Sequence, residues 1–338
     1  MRSEIRIDLG AVRRNARRLL EVLGGTQLWA VVKADGYGHG AVDVAGAALD
    51  AGALALCVAT VGEGVSLRDA FRDVRILVMG PAGEDEVARA REARLELAVS
   101  SGPLPEGVRV HLKLETGMGR FGFAEAPEPT RDVVGLMSHL ATADSDHEFA
   151  ERQLERFRAA ASLHPRLEAH IANSAAALRL PPSRLFAARC GIALYGLSPF
   201  GGDPSADGLE PALSWRSELA QVKLLAPGES TGYGRRFRAA RPTWIGLVPV
   251  GYGDGFRRGL SGTEVLVDGE RRRVVGTVSM DSFAVELERQ LPVGTPVTLI
   301  GGGLLADEHA RAAGTIGYEI VCGIGSTPER AHRVVVDA

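Results

Sequence analysis

Leu28-Trp29-Ala30-Val31-Val32-Lys33-Ala34-Asp35-Gly36-Tyr37-Gly38-His39-Gly40 joins an uninterrupted apolar run to a lysine and then to a turn punctuated by glycine. An apolar run without alternation is the pattern of a strand buried on both faces, as in a parallel sheet. Glycines directly after it mark the strand's end. The pattern recurs along the chain, and the candidate strands are Leu28–Ala34, Leu54–Thr60, Val74–Gly80, Leu95–Ser100, Val108–Glu115, Val133–Leu140, Leu167–Ala172 and Leu185–Cys190. Amphipathic stretches such as Ala41–Ala51, Glu84–Arg94 and His147–Leu163 alternate with them, and an earlier one, Ala11–Leu23, sets Val12, Ala16, Leu19 and Leu23 on one face. The fifth crossover is rich in Gly and Pro, so its helix is weak. Eight βα units within roughly 200 residues favour a (β/α)8 TIM-like barrel over an open doubly wound sheet.

Past Pro211 the helical period fades and strand signals replace it: Trp215–Leu225, Trp244–Tyr252, Glu264–Val267, Arg273–Leu287 and Thr295–Ile300, with Asp268-Gly269 as a hairpin turn. The expected organisation is an α/β barrel over residues 1–210 followed by a mainly-β domain over 211–338.

Composition narrows the partners. The chain has 338 residues and a net charge of −3, which gives no field for nucleic acid or an anionic membrane. Uncharged stretches such as Ala51–Gly62 and Leu291–Ala306 fall short of the roughly 20 apolar residues of a membrane span. The start, MRSEIRIDLG, lacks the apolar core of a signal peptide, so a cytoplasmic location is expected. Cys57, Cys190 and Cys322 are odd in number and far apart, which fits reduced thiols and no metal site. Of 39 basic residues only Lys33, Lys113 and Lys223 are lysine, so few amines are eligible for chemistry that needs a neutral nitrogen.

In a barrel of this kind the reactive groups lie where the strands stop. Lys33 closes the first run, Lys113 and Glu115 the fifth ahead of Arg120, His139 the sixth, Asn173-Ser174 follow the seventh, and Arg189 lies in the eighth ahead of Gly191-Ile192. Desolvation at the barrel mouth would free the Lys33 amine as a Schiff-base nucleophile. Taken alone, such a lysine is more often a snorkelling partner in an ion pair, and the scarcity of lysine shifts the balance towards chemistry. Ser174 ahead of an alanine run, with the Gly191-Ile192 amides, suits a phosphate; alone, Ser174 reads equally as a helix cap. Gly251-Tyr252-Gly253-Asp254-Gly255 lacks the spacing of a dinucleotide loop.

These segments, together with Ser138-His139-Leu140, Ala172-Asn173-Ser174-Ala175-Ala176, Gly232-Tyr233-Gly234 and Val278-Ser279-Met280-Asp281, resemble the alanine racemases of the pyridoxal 5'-phosphate (PLP) barrel class over nearly the whole chain. The resemblance implies PLP-dependent interconversion of L- and D-alanine by two bases, supplying D-alanine for peptidoglycan, in a homodimer with shared active sites. Lys33 would hold PLP and act as one base, and Tyr233 from the second subunit would be the other. Arg189 would bond the pyridine nitrogen with His139 in support. Tyr37, Ser174, Gly191, Ile192 and Tyr318 would hold the phosphate, with Asn173 beside them. Arg120 and Met280 would meet the substrate carboxylate, Tyr252 would line the entrance, and Lys113 is carbamylated in several family members to hold Arg120. The chain departs from the family at Thr231-Gly232, at Glu115 where Asp is usual, in trimmed loops near Ala124–Thr130 and at Ser326–Arg330. Alternatives of the same fold are a serine or broad-range racemase and a non-catalytic PLP carrier. The carrier needs neither a β domain nor Tyr233, and a decarboxylase would set an acidic residue where Arg189 stands.

Overall fold

In the computed structural model, which describes residues 2–325 and 327–338, the first strand does not enter the barrel that follows it. β1 (Glu4–Asp8) pairs in the C-terminal sheet, and the chain divides into Gly10–Glu210 and a second unit made of the residues up to Leu9 with Pro211–Ala338. This corrects the expectation that the barrel begins at residue 1. The reason is visible in the strand itself, since Ile5 and Ile7 are buried and alternate with more accessible neighbours, the period of a strand with one covered face.

The barrel strands are β2 (Gln27–Val31), β3 (Ala55–Val58), β4 (Arg75–Val78), β5 (Glu96–Val99), β6 (Arg109–Lys113), β7 (Val133–Met137), β8 (Glu168–His170) and β9 (Ala187–Cys190), all parallel in the order β8-β7-β6-β5-β4-β3-β2-β9. Two backbone bonds, Phe186 N to Ala169 O at 2.9 Å and Arg189 N to Ala172 O at 3.0 Å, link the ends of that order and bring the sheet round to a nearly closed barrel. Helices α1 (Leu9–Leu23), α2 (Ala41–Asp50), α3 (Val61–Ala70), α4 (Glu84–Glu92), α5 (His147–Ser162) and α6 (Ser174–Arg179) alternate with the strands. Among the described residues no helix fills the crossovers β5 to β6 or β6 to β7, so the second agrees with its Gly/Pro-rich sequence and the first falls short of a full βα unit. On the buried face of α1, Asn15 bonds Leu194 O and both backbone groups of Glu210, tying the helix to the segment that follows the barrel's last strand.

The barrel interior is not wholly aliphatic. Arg75, Glu96, Arg109 and Glu168 are the first residues of their strands, and Glu96 meets Arg75 and Arg109, each at 2.7 Å, while Arg75 also reaches Glu168. Trp29 lies against His170, with ring centroids 4.6 Å apart, and Arg75 sits 4.6 Å from the centroid of the same indole. A polar layer therefore fills the N-terminal part of the barrel, where branched apolar side chains are usual.

The C-terminal unit adds β10 (Leu213–Glu218), β11 (Gln221–Leu225), β12 (Ser230–Thr231), β13 (Phe237–Arg238), β14 (Thr243–Val248), β15 (Glu264–Val267), β16 (Glu270–Val275), β17 (Phe283–Leu287), β18 (Pro296–Ile300) and β19 (His332–Val336). Its nine-stranded sheet runs β11-β14-β17-β16-β15-β18-β10-β1-β19. Two long predicted runs are each split: Trp215–Leu225 breaks between β10 and β11, and Arg273–Leu287 breaks at Gly276, whose φ of 71° ends the strand and opens the loop that carries Met280. Asp268 and Gly269 both have positive φ, as a two-residue hairpin turn requires. Two short helices, α7 (Ala306–Ala313) and α8 (Gly317–Cys322), were not apparent from periodicity. Among the described residues no cysteine is in a disulfide; Cys57 and Cys190 are buried and Cys322 is exposed. No helix among the described residues is long and apolar enough to cross a membrane.

On β7, Gly135 stands opposite His111 of β6 in the ladder, and a Cβ there would overlap the imidazole. Gly135→Ala is therefore expected to destabilise the barrel by about 1–3 kcal/mol, read as a lower urea midpoint with an unchanged m-value.

Candidate functional site

Strand β2 ends in a turn of the wrong hand. After Lys33, Ala34 (φ 52°, ψ 52°), Asp35 (49°, 50°), Gly36 (60°, 43°) and Tyr37 (φ 55°) are all left-handed. For a non-glycine residue that conformation costs about 1–2 kcal/mol, and it persists only where the surroundings over-determine it. Here Gly36 N bonds Val32 O and Gly38 N bonds Ala34 O, so the turn has the hydrogen-bond spacing of a helix. Asp35 accepts from Ala41 N at 2.8 Å, closing the turn onto α2. Glu63 braces the other side: one oxygen accepts from Ala34 N at 2.8 Å while the other accepts from Ala59 N and Thr60 N. Thr60 and Glu63 form the capping box of α3, so one carboxylate starts that helix and fixes the backbone beside Lys33.

Arg189 lies buried on β9 with its hydrogen bonds almost fully assigned. Nη1 donates to His170 Nδ1 at 2.6 Å and to His170 O at 3.0 Å, and Nη2 donates to Ser138 O at 2.7 Å and reaches His139 Nδ1 at 3.3 Å. Among the described residues the Nε–H has no partner. Burial lowers the guanidinium to about 10, which leaves it charged at neutral pH. Burial, with the charge of Arg189 next, pushes His139 down to about 3 and holds His170 well below the ordinary range, so both imidazoles beside the cation are neutral.

Three residues from separate parts of the sequence meet nearby. Ser174 Oγ accepts from Gly191 N at 3.0 Å and from Ala193 N at 3.4 Å. A Cβ on Gly191 would overlap the Tyr37 ring, so glycine is required for the tyrosine to lie over this backbone. The Tyr37 ring is 4.8 Å from that of Tyr195, whose hydroxyl donates to Val31 O, and Ile192 is buried at the start of the short helical turn. Asn173, not Ser174, is the N-cap of α6, accepting from Ala176 N at 3.0 Å. The serine is thereby freed to meet the Gly191 loop.

At the end of β6, Lys113 is buried with its Nζ 5.5 Å from the centroid of Phe121. Burial, and then the charge of Arg120, brings its amine down to about 8. Arg120 is exposed, and its backbone is set by Glu115, which accepts from Arg120 N at 3.0 Å and from Gly117 N. The longer Glu thus caps the 117–120 loop.

The remaining expected residues belong to the C-terminal unit. Tyr233 sits in a tight turn between Gly232 and Gly234 and is 71% exposed, and Met280 is 53% exposed. Thr277 Oγ1 donates to Tyr233 O at 3.0 Å, while Tyr252 N and Gly253 N bond Ser279 O and Met280 O, so the three loops bearing Tyr233, Tyr252 and Met280 are tied at their bases. Tyr318 is half-buried on α8. Ser326, part of one departure from the family pattern, lies outside the described residues.

The family resemblance implies that His139 supports Arg189; it does touch the guanidinium, yet His170, which the sequence motifs leave unmarked, makes the shorter contact, with His111 and Glu96 behind it. A signal was present, since a histidine inside an otherwise apolar parallel strand requires a buried partner.

Comparison with known proteins follows the same outline. The alanine racemase N-terminal domain family matches residues 7–199 and the C-terminal domain family residues 212–334. The alanine racemase of Symbiobacterium thermophilum is 42% identical, covering 96% of both chains, and that of Lactiplantibacillus plantarum is 38% identical over 99% of this chain and 98% of its own. Among solved structures, alanine racemase from Streptomyces coelicolor A3(2) superposes with a TM-score of 0.91 at 39% identity, covering 100% of this chain and 98% of the other. The chain belongs to the alanine racemase family.

Proposed function

We propose that this protein is a PLP-dependent alanine racemase that interconverts L- and D-alanine as a homodimer, providing D-alanine for peptidoglycan. The observation that carries the cofactor assignment is the unpartnered Nε–H of Arg189 within a guanidinium whose other four N–H groups are spoken for. A buried donor of this kind needs an acceptor, and a pyridine nitrogen is one. The crowded backbone of Gly191 and Ile192, the Ser174 hydroxyl and the Tyr37 ring suit a phosphate, with Tyr318 and Asn173 in support. Bound PLP supplies an electron-accepting ring that eases removal of the substrate's α-proton.

The residues' own tasks follow from their chemistry. Lys33, beside the left-handed turn, would hold the cofactor, and its Nζ would exchange a proton with one face of the substrate α-carbon. Tyr233 of the partner subunit exchanges a proton at its hydroxyl with the opposite face, and two bases on two faces invert the centre. Arg189 would donate to the ring nitrogen without surrendering its own proton, which would leave that nitrogen unprotonated and restrain side reactions. Arg120 and the backbone of Met280 of the partner subunit hold the carboxylate. The exposure of Tyr233 and Met280 supports a site completed by a second copy. Lys113 and Arg120 are neighbouring cations as they stand; a carbamate on Lys113 would turn their repulsion into attraction.

Incubating the PLP-loaded protein with L-alanine in heavy water should erase the α-proton NMR signal and yield D-alanine, with L-serine as the test of breadth; a PLP-bound protein that exchanges neither amino acid overturns the assignment. Lys33→Ala should remove the covalently bound cofactor. Tyr233→Phe should slow α-exchange of L-alanine by about 10²–10⁴-fold while D-alanine continues to exchange, and equal losses for both enantiomers would refute the two-base assignment. Because the Lys113 amine is lowered to about 8, roughly half of it is neutral at that pH. A ¹³C carbamate resonance should therefore grow with ¹³C-bicarbonate as pH rises towards 8, and vanish in Lys113→Arg.

A further inference from the structure

Behind Arg189 runs a line of hydrogen bonds in which each proton has only one place to be. A guanidinium offers donors and no acceptor, so His170 Nδ1, 2.6 Å from Arg189 Nη1, must accept. Neutral His170 then carries its proton on Nε2 and donates it to His111 Nδ1 at 2.9 Å. His111 in turn carries its proton on Nε2 and donates to Glu96 Oε2 at 2.8 Å. All four residues are buried. Burial keeps His111 and His170 below the ordinary imidazole range. For Glu96 burial acts in the opposite sense, but the hydrogen bond from His111 and the charge of Arg75 hold the carboxyl below the ordinary carboxylate range. The line therefore joins a cation near the strands' C-terminal ends to an anion at the start of β5 through two neutral rings.

Its geometry is fixed from the sides as well. Trp29 packs 4.6 Å from the His170 ring and edge-on to His111, and Arg75 and Arg109 pin both oxygens of Glu96. Gly135 leaves the space that the His111 ring occupies.

We propose that Glu96 and His111 are positioning residues for the reaction assigned above: through His170 they fix the orientation of Arg189, so that Nε–H is the donor left for the pyridine nitrogen. The inference rests on that functional reading. Its physical content is a conflict that the carboxylate prevents. Without an acceptor at His111, the His170 Nε2–H is a buried donor with no partner, and moving the proton to Nδ1 would set an N–H against the N–H of Arg189. Either outcome displaces the guanidinium.

The experiment starts with ¹⁵N-histidine NMR of the cofactor-free protein, with resonances assigned from His170→Leu and His111→Leu. His111 and His170 should both show the neutral Nε2–H pattern, and a proton on Nδ1 of either ring overturns the proposal. In the PLP-loaded protein, His111→Leu should shift the cofactor's visible absorption and lower kcat for both enantiomers by about ten-fold with KM within about two-fold. His111→Gln, which keeps an acceptor and a donor, should recover most of the loss. The isosteric Glu96→Gln, which preserves the acceptor and removes the charge, should fall between them and guards against a leucine variant that fails to fold. Wild-type absorption and rates in folded His111→Leu or Glu96→Gln refute the relay and leave the racemase reading intact. A wild-type protein that binds PLP and exchanges no α-proton refutes the racemase reading instead, while the tautomers still decide whether the line exists as drawn.

Discussion

Placing the Arg189 guanidinium inside the barrel is the constraint around which the surrounding structure is arranged. A buried cation is stable only if its donors are met and its charge is answered. Two backbone carbonyls and two imidazoles meet four of the donors, and the hydrogen-bonded line that starts at His170 ends on the carboxylate of Glu96. That solution determines much of the interior. The rings between the charges need width, which Gly135 provides, and the carboxylate needs cations of its own, which Arg75 and Arg109 supply. Burial pushes the thiols of Cys57 and Cys190 up to about 12, so the groups flanking the guanidinium are inert.

The left-handed turn solves a different problem beside the same site. A lysine at the end of a buried strand has a long flexible stem, and its amine is useful only if the backbone beneath it is immobile. Ala34, Asp35 and Tyr37 each hold an unfavourable conformation, and the restraints come from neighbouring units: Asp35 caps onto α2 and Glu63 reaches back from α3. Strain and restraint are thus distributed over two consecutive βα units. The carboxylate of Glu63 carries both the helix cap and the turn, which makes it a structural residue on which the position of Lys33 depends.

How much of this was legible in the sequence varies with the range of the interaction. Most of the barrel strands could be read because parallel strands buried on both faces form apolar runs, although β6 and β8 carry His and charged residues, and in every case the observed strand lies within the predicted run or one residue outside it. β1 was passed over because its alternation belongs to the other sheet, whose remaining strands come after Pro211. In the site, Lys33, Ser174, Arg189 and Gly191 stood out because they interrupt or end apolar runs. His111, His170 and Glu96 did not, although they occupy comparable positions, because their meaning lies in pairings between strands that no local pattern records. The exchange of roles between Asn173 and Ser174 is similar: either residue can cap a helix, and only the Gly191 loop, 17 residues beyond Ser174, decides which one does.

The C-terminal unit uses its backbone differently. Tyr233, Tyr252 and Met280 stand on loops whose bases are bonded to one another through Thr277, Ser279 and Met280 O, while their side chains remain exposed. Beneath them Asp254 is buried and accepts from Gly251 N, Arg2 and Arg330, and Arg330 also reaches Asp281, so the loops rest on an ion-paired platform. These side chains thus stand exposed above a hydrogen-bonded and ion-paired base that sets the course of their loops. Within the barrel the Arg189 cation is fixed by burial, whereas within the β unit the exposed phenolic and apolar side chains are fixed only at their roots.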